Sequence, residues 1–293
     1  MKTFKTIYLI TIITITICVV GLFGARRFGR IGGLFGNPDI VRDSVKTEPF
    51  QAVEMQADIA DFSIVEGDEY RVDYAYPSNI TVTGKVENGI LKVTVHGKNN
   101  YNNNFLRIHK KGIQTVDTKL TIVVPEGSDL SKIDLDVDAG NIVLNNRVFD
   151  KIKIDSDACN VELNRITADF ADISADAGRI LVEKSTLKDA EFKVSAGTLE
   201  VNDSTLDTVK AEGSMGSIRF DESDFTDGDL SSGLGEVVVD GNFENLKIKT
   251  SLGQIRVDSE NIDKAELDLS MEMGEIEVNG EKKGGEYKKS RSE

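Results

Sequence analysis

From about residue 133 onward apolar and polar positions alternate, and one short pattern returns eight times. Each copy is a strand-like run, a glycine, a polar residue, then a branched or long aliphatic. The glycine position falls at Gly140, Cys159, Gly178, Gly197, Gly216, Gly235, Gly253 and Gly274. The first five intervals are 19 residues; the last two are 18 and 21. A fixed period in this range predicts a stack of repeats rather than a globular core.

Aligned on the glycine position, the columns have distinct chemistry. Two residues on stand Ile142, Val161, Ile180, Leu199, Ile218, Val237, Ile255 and Ile276. Four on stand Leu144, Leu163, Val182, Val201, Phe220, Val239, Val257 and Val278. A separation of two between apolar columns is strand periodicity, and it excludes a helical repeat. Five before the glycine position come Leu135, Ile154, Ile173 and Phe192. One before it come Ala139, Ala158, Ala177, Ala196, Met215, Leu234, Leu252 and Met273, expected as a further inward column. Phe149, Leu187, Leu206, Phe225 and Ile262 are expected to fill a far corner. Five after the glycine position, Asn145, Asn164, Glu183, Asn202, Asp221, Asp240, Asp258 and Asn279 suit a bend, because Asn and Asp tolerate left-handed geometry. The resulting expectation is an all-β, single-stranded β-helix (solenoid) of about eight coils over residues 131–280, with rungs about 4.8 Å apart.

Ahead of the repeats, residues 48–130 read as strands and turns. Glu87-Asn88-Gly89 lies between apolar alternations, the strongest short hairpin signal. Leu120 to Val124 is a strand stopped by Pro125, with Glu126-Gly127 as a turn. This region is expected to cover the open end of the stack.

The first 42 residues carry a balance of +5 and the rest carries −20, within a net charge of −15. An acidic body without a basic stripe argues against nucleic-acid partners. After a short tail, residues 1–5, the run 6–25 is uncharged and bracketed by Lys5 and Arg26. Its length suits one membrane crossing. It reads as a retained transmembrane helix rather than a cleaved signal, because Leu22-Phe23-Gly24-Ala25 offers small residues only at its end. Basic residues flank it on both sides, so charge balance leaves orientation open. Residues 26–47 read as a linker and 281–293 as a basic, disordered, solubilising tail.

Catalytic signatures are sparse. Asp138, Asp157 and Asp176 stand two before the glycine position in adjacent rungs, the candidates for a bridging cation; a compact calcium loop is missing. Cys159 reads as a small buried thiol, and His96 and His109 as loop residues. No nucleotide loop, nucleophile elbow or zinc spacing is present. Tyrosines lie outside the repeats and Trp is absent, which removes sugar-stacking platforms from the solenoid. Neither an enzyme nor a cofactor is expected.

The Val-Val-Pro-Glu-Gly strand end at 123–127, feeding coils of the form Ile-x-Leu-x-x-x-x-Gly-x-Ile behind an amino-terminal apolar helix, resembles the bacterial putative-adhesin β-strand-repeat family. That family includes LiaG-like envelope-stress proteins of Gram-positive bacteria. The resemblance covers about residues 48–279. It implies a right-handed β-helix outside the membrane with a binding or scaffolding role at the cell envelope, and it supplies no catalytic residues. The expected partners are the cell membrane through residues 6–25 and an envelope protein or wall polymer. Two further readings stay open: a polysaccharide-active enzyme using Asp138, Asp157 and Asp176, and a scaffold facing the cytosol.

Overall fold

Alternation of buried apolar and exposed polar residues builds nearly every described element. The structure, a computed structural model, describes residues 39–97, 107–109, 112–114 and 118–291. The run 6–25 and residues 98–106 lie outside the described residues. Among the described residues no helix is long and apolar enough to cross a membrane.

Among the described residues nine strands precede the repeats: β1 (Ile40–Lys46), β2 (Ala52–Ala57), β3 (Ala60–Gly67), β4 (Arg71–Pro77), β5 (Ile80–Glu87), β6 (Ile90–Gly97), β7 (Arg107–His109), β8 (Gly112–Gln114) and β9 (Lys119–Pro125). The Asn-Gly signal turns as expected, with Asn88 and Gly89 both at positive φ between antiparallel β5 and β6. The repeats follow as β10 (Lys132–Glu183), β11 (Thr186–Asn202), β12 (Thr205–Asp221), β13 (Asp224–Asp240), β14 (Phe243–Asp258) and β15 (Glu266–Val278). β2 and β3 lie parallel to the start of β10, at Lys132–Val137 and Gly140–Val143. β6 and β9 lie parallel to β2 and β3 one layer further out. Antiparallel β4 and β1 then complete that end of the sheet.

β10 to β15 stack in parallel register as a solenoid of about six turns. The eight coils expected from the eight copies do not appear as eight strands. The first three copies share β10, which runs unbroken through the left-handed Asn146 and Arg165 at φ 51° and 53°.

The columns two and four residues after the glycine position are buried throughout, as is the column five before it. Phe149, Leu187, Leu206 and Phe225 are buried at the far corner, and Ile262 packs against the core partly buried. The column one before the glycine position is a correction. Ala158, Ala177, Met215 and Met273 are exposed, and Ala139, Ala196, Leu234 and Leu252 are half-buried. The inward column is instead three before the glycine position, where Val137, Ser156, Ala175 and Val194 are buried. The glycine corner interrupts the alternation and turns the intervening side chains outward. At Gly235, φ is 148° and an added Cβ would lie 1.6 Å from the Gly216 carbonyl oxygen of the turn before. Other glycines of the column face the preceding turn in the same way, so the close approach of stacked backbones imposes the residue.

The opposite corner also differs from expectation. Of the Asn, Asp and Glu column, only Asn279 is left-handed. The left-handed residues are one later: Asn146, Arg165, Lys184, Asp203 and Glu222. Serines hold this corner. Ser204 Oγ accepts from the Ser185 N–H at 3.1 Å and donates to the Asn202 carbonyl at 2.8 Å. Ser185 serves the Ile166 N–H and Ser223 the Ser204 N–H in the same way, so each turn satisfies a buried amide of the turn before.

The carboxy terminus is a second correction. Residues 281–289, expected within a disordered tail, form β16 (Glu281–Lys283) and β17 (Glu286–Lys289), both antiparallel to β15. The last turn would otherwise expose a row of unpaired backbone groups.

Candidate binding surface

Three surface features of the solenoid have enough regularity to act on a partner. The first is the outward apolar column. Ladder register places Ala177, Ala196, Met215, Leu234, Leu252 and Met273 directly over one another. At about 4.8 Å per rung these six span roughly 24 Å. Met215 and Met273 are 37% and 58% exposed. Around the middle of the column, Ser195, Ser214, Gly233 and Ser251 lie on one side. Across the glycines lie Thr198, Ser217, Glu236 and Gln254, and the single charge there, Glu236, is paired with Arg219 at 3.0 Å. An uncharged strip of this kind contrasts with a chain in which 29% of residues are charged. The same apolar column was visible in the sequence, but its direction was not.

The second feature is a groove of about 550 Å³ at the serine corner of the last turns. Glu222, Asp224, Asp240, Asp258 and Glu260 line it. Several of these carboxylates already have partners: Asp224 accepts from the Asn242 backbone at 2.8 Å, and Arg256 lies 3.3 Å from Asp258. The sequence concealed this groove because its carboxylates come from corner positions of different turns.

The third is the aspartate column. Asp138, Asp157 and Asp176 are all exposed. Asp176 accepts a hydrogen bond from Ser195 Oγ at 3.1 Å, on the next rung. Among the described residues, no group of three or more His, Cys, Asp and Glu side chains has the arrangement to hold a metal ion. Asp138 and Asp157 lie close enough to Cys159 to act on its thiol. Burial, reinforced by those two charges, pushes the thiol up to about 12 against a partial opposing effect of Ser156 and the Ala158 backbone. Cys159 is 1% exposed and its Sγ donates to the Val137 carbonyl, so it is a packed, unreactive thiol. His96 sits 3.0 Å from Asp58 at the end of β6.

A charged ladder occupies another outer column. Successive pairs join Lys92 to Glu54, Lys153 to Asp134, Lys210 to Glu191, Lys247 to Asp229 and Lys288 to Asp268, at 3.0 to 3.9 Å. The ladder neutralises that face locally and leaves the uncharged strip as the chemically distinct one.

The Toastrack DUF4097 family model matches residues 51–292. None of the curated proteins matches the chain. Solved structures share the fold at low identity. A putative lipid binding protein from Parabacteroides distasonis is 19% identical with a TM-score of 0.59, covering 83% of this chain and 98% of its own. A putative adhesin from the same organism is 14% identical at 0.56, with the same coverage. A putative adhesin from Parabacteroides merdae is 13% identical at 0.52, covering 83% and 97%. The match over most of its length, on a solenoid of this architecture, shows that the chain belongs to the Toastrack DUF4097 family.

Proposed function

We propose that this protein is a membrane-anchored, extracytoplasmic β-solenoid that binds or scaffolds at the bacterial cell envelope without catalysis. The anchor is the uncharged run 6–25, and each of the eight glycine copies contributes one rung; Asn160 Nδ2 donates to Asn141 Oδ1, 19 residues earlier, at 3.1 Å. The observation that carries a binding role is the outward column from Ala177 to Met273. Exposed Met215 and Met273, with half-buried Leu234 and Leu252 between them in register, make an apolar strip that is free of unpaired charge around its middle rungs, the kind of contiguous apolar surface that marks a partner site. The family membership and the neighbours described as adhesins and a lipid binding protein support the same reading. Asp138, Asp157 and Asp176 lie in the open on the outer surface, an arrangement that gives little support to a hydrolytic site.

Two measurements test it. Protease added to intact cells stripped of wall digests residues 45–293 if the solenoid faces outward; digestion only after lysis sinks the extracytoplasmic assignment. Replacing Met215 and Leu234 together by Glu leaves the buried columns untouched. Retention of the folded protein by isolated envelope fractions falls about tenfold, corresponding to loss of one well-buried apolar contact pair. Unchanged retention removes the strip from the site.

A further inference from the structure

We infer that the acidic edge of the final turn is a docking site for a basic, extended strand, filled in the monomer by residues 281–289 and able to accept the same segment from a second copy. β15 ends the parallel stack, and both its arms are paired on the outside by antiparallel strands, β16 at Ile276–Val278 and β17 at Leu267–Ser270. The bonds of that edge therefore suit an antiparallel partner. Its charges suit a basic one: Lys282 reaches Glu275 at 2.8 Å and Lys288 reaches Asp268 at 3.6 Å. Arg291 extends the contact to Glu244 at 2.8 Å.

The strap is held by its backbone ladders to β15 and by polar contacts at its end, where Lys289 Nζ donates to the Ile262 carbonyl at 2.6 Å and Arg291 Nε to the Lys264 carbonyl at 2.7 Å, more than by apolar burial. Its ion pairs are exposed and screened by water and salt. Tyr287, opposite Leu269, is its apolar residue packed against the core. The segment joins β15 through a two-residue turn, with Asn279 at φ 47° and Gly280 at φ 75°. Opening that turn carries the strap away from its own edge, and reciprocal exchange between two copies restores every bond with one new symmetric assembly. Reciprocal exchange fills the last-turn edge of both copies at once, so the assembly closes at a dimer rather than growing into a fibre.

Gly280→Val tests the hinge. An added Cβ at Gly280 meets nothing within 4 Å, so only the positive φ is penalised. Asn279 is kept, because its side chain bonds Ser259 in both directions. Full-length Gly280→Val doubles in mass by sedimentation velocity and returns to the mass of the unmodified protein on dilution. A chain ending at Gly280 keeps its β circular dichroism and binds a synthetic peptide of residues 281–291. The peptide with Lys282 and Lys288 replaced by Glu binds roughly tenfold more weakly, as loss of two opposite-charge contacts predicts. An unchanged mass for Gly280→Val, no peptide binding, equal binding of the charge-reversed peptide, or loss of the β spectrum on truncation would each overturn the inference.

Discussion

Cys159 occupies a position where the other turns have glycine. It keeps a φ outside the left-handed region, and its side chain turns into the core. The turn above has no such freedom: an added Cβ on Gly178 would lie 1.9 Å from the Cys159 carbonyl oxygen. Burial raises the Cys159 thiol from its ordinary 9.0 to about 12. The sign follows from proton counts. Below pH 9 the folded and unfolded chains both hold the proton, so the contribution of the buried thiol is fully present. Between pH 9 and 12 the unfolded chain releases it first, and stability falls by up to about 1.4 kcal/mol per pH unit. Tyr76, buried and donating to the Ile59 carbonyl, is raised for the same reason and adds to the loss at higher pH. Urea midpoints at pH 8 and pH 10.5 for the protein and for Cys159→Ala check this. The substituted protein loses less stability over that interval, by roughly 2 kcal/mol at most. An equal loss would assign the alkaline sensitivity elsewhere.

Within one turn, two corners carry the geometry by different means. The glycine corner depends on the close approach of backbones. The serine corner depends on a hydroxyl placed where the next turn can use it. Ser185, Ser204 and Ser223 are each at most 3% exposed, and Ser204 Oγ is the partner of the buried Ser185 N–H. Ser204→Ala leaves that amide unpaired, and a buried unsatisfied donor costs about 1–3 kcal/mol. Chemical denaturation shows the midpoint lowered accordingly, and hydrogen exchange locates the change at residues 184–204. A substitution without effect on either would mean that water replaces the hydroxyl. The repeated serine is legible in the sequence, seven residues after the glycine position, beside an Asn and Asp column whose chemistry equally suits a bend. The left-handed backbone falls instead at Lys184, Asp203 and Glu222.

Across the whole stack, the charged ladder ties turn to turn. Lys210 lies between Glu191 at 3.4 Å and Glu212 at 2.7 Å, and its pKa is raised by Glu212 foremost, with Glu191 contributing. Lys210→Glu places a third carboxylate among them and lowers the thermal midpoint. Added salt narrows the gap to the unmodified protein, because these groups are exposed and screened. A salt-independent loss would point to packing instead of charge. The strap at residues 281–289 belongs to the same scale: Lys282 and Lys288 meet Glu275 and Asp268 of β15, which precede them by 7 and 20 positions. An Asn-Gly pair marks the turn at 279–280 just as one does at 88–89, yet the short, lysine-rich run beyond it resembled a solvated tail.

Apolar alternation and the repeat period dictate the class of fold and most of the core. A strand places alternate residues on opposite faces, so two apolar columns two residues apart admit few other readings, and the Asn88-Gly89 hairpin follows from local backbone preference alone. Tertiary structure alone decided which way the column from Ala139 to Met273 faces, how the turns divide, where the serine hydroxyls donate and what covers β15. Each of these depends on the turn above or below. At Gly235 the bar to a side chain is the Gly216 carbonyl one rung away, 19 residues distant in sequence and 1.6 Å from an added Cβ.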